Sequence, residues 1–219
     1  MPWIAFLELA IVAAIFIADL HHLVPLSKTP FLFALGWISL RARGLRWKDL
    51  GLSPFRDWPT TLAVGAGAGV AMELLDLFIT KPLEKSLFGR PPDLSDFLPL
   101  VGNPKLALIA LLFVWVMAAF GEEMVWRGYL MNRVAGLFAG SRAGWIVSLV
   151  AVNAAFGYAH ANQGAAGIVQ EGFAGVLLGV LYLACGRSLA VPIVAHGVTD
   201  TIDIALIFTG SYPGLAGHS

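Results

Sequence analysis

Charge is scarce in this chain. Of its 219 residues only 13% are Asp, Glu, Lys or Arg, while 58% are hydrophobic, and the formal net charge is zero. A soluble domain is about a quarter charged and about 45–50% apolar, so the scarcity argues for an integral membrane protein. The basic residues are dispersed, and nothing in their pattern suggests nucleic acid. Cysteine is nearly absent too. Cys185 stands alone, which excludes an intrachain disulfide and a cysteine metal cluster and leaves the redox compartment open. Internal repeats and low-complexity tracts are missing, as is an HExxH segment, in which two metal ligands and a base share one helix. The first apolar run, WIAFLELAIVAAIFIADL, has no basic n-region and no small-residue cleavage site, and reads as a retained helix.

What is present is a succession of apolar runs. A helix needs roughly 20 mostly apolar residues to cross a bilayer, and the runs predict spans at about 3–20, 23–40, 59–79, 105–121, 143–160, 165–184 and 188–209. The expected fold is a single all-α transmembrane domain over 1–219, a bundle of about seven helices around a polar intramembrane cavity. Pro25 and Pro30 break the second span, and the fourth continues as helix to about 138. The connection 41–58 is basic and aromatic, as suits the headgroup level, and 80–104 is proline-rich with mixed charge. GAGAG at 65–69 and Gly172, Gly175 and Gly179 are small-residue faces for close helix packing.

Seven spans put Arg41, Arg43, Arg46, Lys48, Arg56, Arg133, Arg142 and Arg187 on the side of the N-terminus, and Lys28, Lys81, Lys85, Arg90 and Lys105 on the other. The excess predicts a cytoplasmic N-terminus. The compact, Ala/Gly-rich chain points to a prokaryotic plasma membrane.

Ionisable residues within such spans are costly and usually face a bundle interior or a water-filled cavity. The uncharged run LALIALLFVWVMAAF (106–120) leads directly into GEEMVWRG (121–128). Glu123 and Arg127 are four apart on one helix face and can pair, while Glu122 points about 100° away and stays free. Both glutamates merely capping a helix at the water interface is the plainer alternative. His160 ends the fifth span with Phe156 one turn before it, and Asn153 lies within reach of His160 or of a neighbouring helix. His196 and Asp200 share a face of the seventh span at i, i+4. A glutamate, two histidines and an aspartate from separate helices form a set able to polarise water. Glu73, Asp76, Glu171 and Asp203 are further intramembrane acids, either cavity-lining or bonded to a neighbouring helix, and Glu8 and Asp19 suit interfaces.

EEMVWR (122–127), FGYAH (156–160) and HGVTD (196–200) resemble, in order, the EExxxR, FxxxH and HxxxN/D motifs of the CPBP family. These are the CAAX-processing and bacteriocin-processing intramembrane proteases, also called the Abi family. The resemblance covers about 105–210, and KDLGL (48–52) is similar to a loop often found before the third helix in that family. It implies an intramembrane endopeptidase of the CAAX type, acting on a membrane-associated peptide or protein. Glu122 would be the general base, His160 would hold the same water, and His196 and Asp200 would line the carbonyl side. Glu123, Arg127, Phe156 and Asn153 would support them. Where relatives have Asn, an amide can donate to the oxyanion; Asp200 as a carboxylate would instead orient His196 or join a cation. Zinc held by Glu122, His160 and His196, with water as the fourth ligand, and a metal-free glutamate mechanism are equally compatible with the resemblance. A peptide pheromone, a bacteriocin precursor or a membrane-protein tail all suit as substrate. Two other classes share these residues: a proton-coupled small-solute transporter, which a proteoliposome flux assay separates, and a non-catalytic immunity or scaffold protein, which substitution of Glu122 separates.

One conflict stands in this reading. With the fourth span running inward, Glu122 falls at the cytoplasmic leaflet, and His160 falls at the far end of a span running outward. The two meet if the fourth span starts later and the fifth extends through Ala161, in a cavity open to the cytoplasmic leaflet.

Overall fold

The computed structural model describes residues 2–21, 23–25, 27–89 and 91–215, so the expected placement of Arg90 lies outside the described residues. Among them there is helix and no strand. The long helices are α1 (Pro2–Leu20), α2 (Thr29–Ala42), α3 (Trp58–Phe88), α4 (Pro104–Leu137), α5 (Arg142–Tyr158), α6 (Gly164–Ala184) and α7 (Ala190–Phe208). Local chemistry sets several of the starts. Asp57 accepts from the Thr60 amide at 2.7 Å, Asn103 from the Leu106 amide at 3.1 Å and Ser141 from the Gly144 amide at 3.1 Å, so each caps the helix that follows it. Proline stands in the first turn of α3 and of α4, where its missing N–H costs nothing. The Thr60 amide holds the Asp57 carboxyl below the usual carboxylate range.

Five of these helices are long and apolar enough to cross a membrane: α1, α3, α4, α6 with the 3₁₀ turn before it, and α7. The expected count of seven is therefore met only in part. α2 has 14 residues and α5 has 17, about 21 and 26 Å at 1.5 Å per residue, against a hydrocarbon core of about 30 Å. The outer surface is apolar, as lipid requires: Leu108, Leu112, Phe113, Phe78 and Ile146 are all exposed. The interior holds the polar groups.

At the centre lies α4. Residues 123–131 are buried without a break, so this stretch is enclosed on every side. Trp126 packs against Phe16 of α1, with ring centroids 5.4 Å apart, and edge-on to Phe156 of α5 at 5.1 Å. Glu8, expected at an interface, instead ties three helices together. Its carboxylate accepts from Ser39 of α2 at 2.8 Å and from Tyr129 and Arg133 of α4 at 3.0 and 2.5 Å. Asp19 pairs with Lys28 at 3.0 Å.

The GAGAG face sets α3 against α7. A Cβ at Gly69 would stand 2.5 Å from the Ala195 carbonyl oxygen and 2.9 Å from the Val198 Cβ. The Thr199 hydroxyl donates to the Gly69 carbonyl at 3.1 Å across this contact. On the other side of the bundle a Cβ at Gly175 would meet Phe156 at 2.8 Å and Asn153 Oδ1 at 2.9 Å. A Cβ at Gly197 would likewise stand 2.5 Å from the Trp115 ring, so α7 lies close to α4 as well, and His196, Asp200 and Glu171 line one cavity with Glu122.

Candidate active site

Two stretches of α4, Val114–Glu122 and Met124–Met131, run as π-helix. Such widened turns are uncommon and gather at functional sites. Glu122 lies at the junction between them, near the middle of a 34-residue helix. Its carboxylate makes no hydrogen bond or ion pair with any described residue, and it lines a cavity of about 300 Å³. The same cavity is lined by His160, His196 and Asp200, and also by Glu171 and Asp203. A smaller space of about 70 Å³ adjoins it and shares Gln170, Glu171, His196, Asp200 and Asp203.

Each of the expected supporting residues has a definite place. Glu123 and Arg127 are fully buried, and Arg127 Nη1 donates to Glu123 Oε1 at 2.6 Å. Arg127 Nη2 donates to Asn153 Oδ1 at 3.1 Å and to the Gly175 carbonyl at 2.7 Å, and the guanidinium lies 4.9 Å from the Phe156 ring centroid. One arginine thus joins α4, α5 and α6. Asn153 bonds Arg127 and, through Nδ2, the Leu149 carbonyl at 2.7 Å. Among the alternatives open for it, the link to a neighbouring helix is the one formed.

The histidines are oriented differently. His160 lies two residues past α5. Its Nδ1 stands 2.9 Å from the Phe156 carbonyl oxygen, and the two rings meet edge-on at 4.9 Å. A carbonyl can only accept, so Nδ1 carries the hydrogen, and in the neutral ring Nε2 keeps its lone pair. His196 is held from both sides, Nδ1 at 2.9 Å from Glu123 Oε1 and Nε2 at 3.6 Å from Asp200 Oδ2. Glu123 therefore connects Arg127 to His196, a link that motif spacing did not reveal. The second separation exceeds a hydrogen bond.

Two expectations are corrected here. The conflict between Glu122 and His160 is not resolved by shifted helix ends, since α4 starts at Pro104 and α5 stops at Tyr158. It is resolved because α4 passes straight through Glu122 to Leu137, so the glutamate is mid-helix. The cavity also does not face the basic connections. Its remaining walls include Leu94, Phe97, Gln163, Ile207 and Tyr212, all at the end where α3, α5 and α7 finish. Arg41–Arg56, Arg142 and Arg187 lie at the opposite end. Tyr212, Phe97 and Gln163 carried no signal in the sequence, being outside every motif and apolar run.

Among the described residues no three His, Cys, Asp or Glu side chains are grouped so as to hold a metal ion. Glu122, His160 and His196 line one cavity.

Residues 104–202 match the family described as type II CAAX prenyl endopeptidase Rce1-like. The match spans less than half of the chain, and it is a likeness to that family. The matched stretch contains all three motifs and, with them, every residue so far placed on the cavity wall except Leu94, Phe97, Asp203, Ile207 and Tyr212. No curated protein and no solved structure matches the chain. The matched stretch resembles a family of membrane proteases, and five helices of the chain are long and apolar enough to cross a membrane.

Proposed function

We propose that the protein is an intramembrane endopeptidase in which Glu122 activates the attacking water. One observation carries this reading: Glu122, without a hydrogen-bond or ion-pair partner among the described residues, shares one cavity with His160, His196 and Asp200, which arrive from other segments of the chain. A general base needs a carboxylate not consumed by a structural bond, and a water within hydrogen-bond reach. His160 Nε2 supplies a second anchor for that water, because its Nδ1–H is already spent on the Phe156 carbonyl. Attack on the peptide carbonyl moves the water proton to Glu122 and charge to the carbonyl oxygen. Glu122 can return that proton to the leaving amine. His196 and Asp200 line the same cavity, where His196 Nε2, 3.6 Å from Asp200 Oδ2 and so not held in a hydrogen bond, can turn to a substrate oxygen. The Glu123–Arg127 pair holds the His196 ring in place through Nδ1. Nothing in this sequence of steps runs through a metal. The Lys and Arg excess supports a cytoplasmic N-terminus, with the cavity's outer walls toward the opposite leaflet, and the Ala/Gly-rich chain supports a prokaryotic plasma membrane.

His160→Ala tests the reading. It removes a water anchor and leaves the α5 backbone intact, so proteolysis by the purified protein is expected to fall by about 10²-fold or more, with normal insertion and yield. Unchanged turnover in this variant would contradict the shared site.

A further inference from the structure

Resting on the endopeptidase reading, we propose that the cavity takes a peptide segment with a cationic side chain beside the bond to be cut. A segment ending there in a free carboxylate is disfavoured. The lining decides this. Four carboxyl groups face the space, those of Glu122, Glu171, Asp200 and Asp203, and among the described lining residues there is no Lys or Arg. Glu171 makes no hydrogen bond or ion pair with a described residue, and Asp203 Oδ1, beside the Glu73 carboxyl, is buried without a hydrogen-bond partner among the described residues. Gln170 adds an amide whose Nε2 is already given to Asp76, at 3.1 and 3.0 Å, leaving its oxygen as an acceptor.

Four described lysines lie at this end of the bundle, Lys28, Lys81, Lys85 and Lys105; the last two are exposed and line neither cavity, and the first two are already committed. Lys28 pairs with Asp19 at 3.0 Å. Lys81 pairs with Asp76 and lies 4.7 Å above the Tyr212 ring. The histidines offer little to an anion, because His196 stands between Glu123 and Asp200 and His160 has only Nε2 free.

A wall rich in acceptors and poor in donors suits an ammonium or guanidinium, which brings only donors. A carboxylate placed there meets like charge or protonated acids and finds no cation, in surroundings where such juxtaposition is costly. CAAX boxes stand at a chain's C-terminus, so cutting one releases a piece that ends in a free carboxylate. The charge of this cavity is matched instead to an internal bond next to Lys or Arg. The aromatic and aliphatic wall formed by Phe97, Phe113 and Ile207 is left for the apolar part of the segment.

The test uses the full chain purified in a neutral detergent, so that no anionic lipid concentrates cationic peptides. Quenched fluorescent peptide amides share one apolar frame and differ only in having Lys, Gln or Glu beside the central bond. A fourth peptide ends in a free carboxylate two residues past it. The expected kcat/KM falls by about tenfold from Lys to Gln, and by about tenfold again to Glu and to the free carboxylate. Glu171→Gln should compress the Lys-to-Glu ratio, and so should added salt; Asp203→Asn serves the same purpose if Glu171→Gln folds poorly. Anisotropy measurements of the same peptides read binding apart from turnover. If the binding order holds but nothing is cut, the endopeptidase reading fails and the charge assignment stands. Cleavage or binding indifferent to the flanking charge, or favouring Glu, would overturn the assignment even with the protease intact.

Discussion

Glu122→Gln is expected to lower peptide turnover by about 10²–10⁴-fold, the usual contribution of a positioned general base, with little change in folded yield. Both halves of the expectation come from the same observation. The Glu122 carboxylate makes no hydrogen bond or ion pair with a described residue and faces the cavity, so an amide of equal shape orphans no buried partner. What it loses is the ability to accept a proton from water. Steady-state kinetics beside a thermal melt in detergent would separate the two effects. Turnover within a few-fold of the parent would remove Glu122 from the chemistry, whereas a collapsed melt would make it a structural residue.

Arg127→Met should do the opposite and cost the fold itself. The guanidinium is fully buried and donates to Glu123, Asn153 and the Gly175 carbonyl, which lie on three different helices. Methionine keeps much of the volume and removes every donor. Breaking a buried pair from one side costs about 3–5 kcal/mol, because the remaining charge is left uncompensated. Folded yield should fall sharply, with a midpoint of thermal unfolding lower by on the order of 10 °C. Joining Glu123→Leu to Arg127→Met removes the stranded charge and should recover part of the stability. It should not recover turnover, because His196 then loses the carboxylate 2.9 Å from its Nδ1. A single Arg127→Met variant that melts like the parent would show the network to be dispensable.

The Glu123–Arg127 pair could be read from the sequence because i, i+4 spacing is local geometry, and the three motifs carried enough pattern to indicate the domain. Depth in the membrane was less legible. The apolar run stops at Phe120, so hydropathy marks the end of a span there, although the buried stretch continues through Met131. Its polar residues are satisfied inside the bundle and not by water, and hydropathy cannot distinguish those two cases. The contact of Glu123 with His196 depends on how closely α7 approaches α4, which small residues such as Gly197, packed against Trp115, permit but do not specify. The outer walls of the cavity come from connections, where Phe97 and Tyr212 have no periodicity to announce them. α2 is shorter than its apolar surroundings suggested, because the helix begins only at Thr29, past Pro25.

The most direct measurement of the central claim is a single turnover in ¹⁸O-labelled water. Excess purified protein is mixed with the Lys-containing peptide amide, and the products are weighed by mass spectrometry. Direct attack by a water that Glu122 has activated is expected to place one ¹⁸O in the new carboxylate of the N-terminal fragment, in the first turnover, and Glu122→Gln should yield almost none of that fragment. An intact peptide, a first-turnover fragment without label, or equal labelled product from Glu122→Gln would contradict the account.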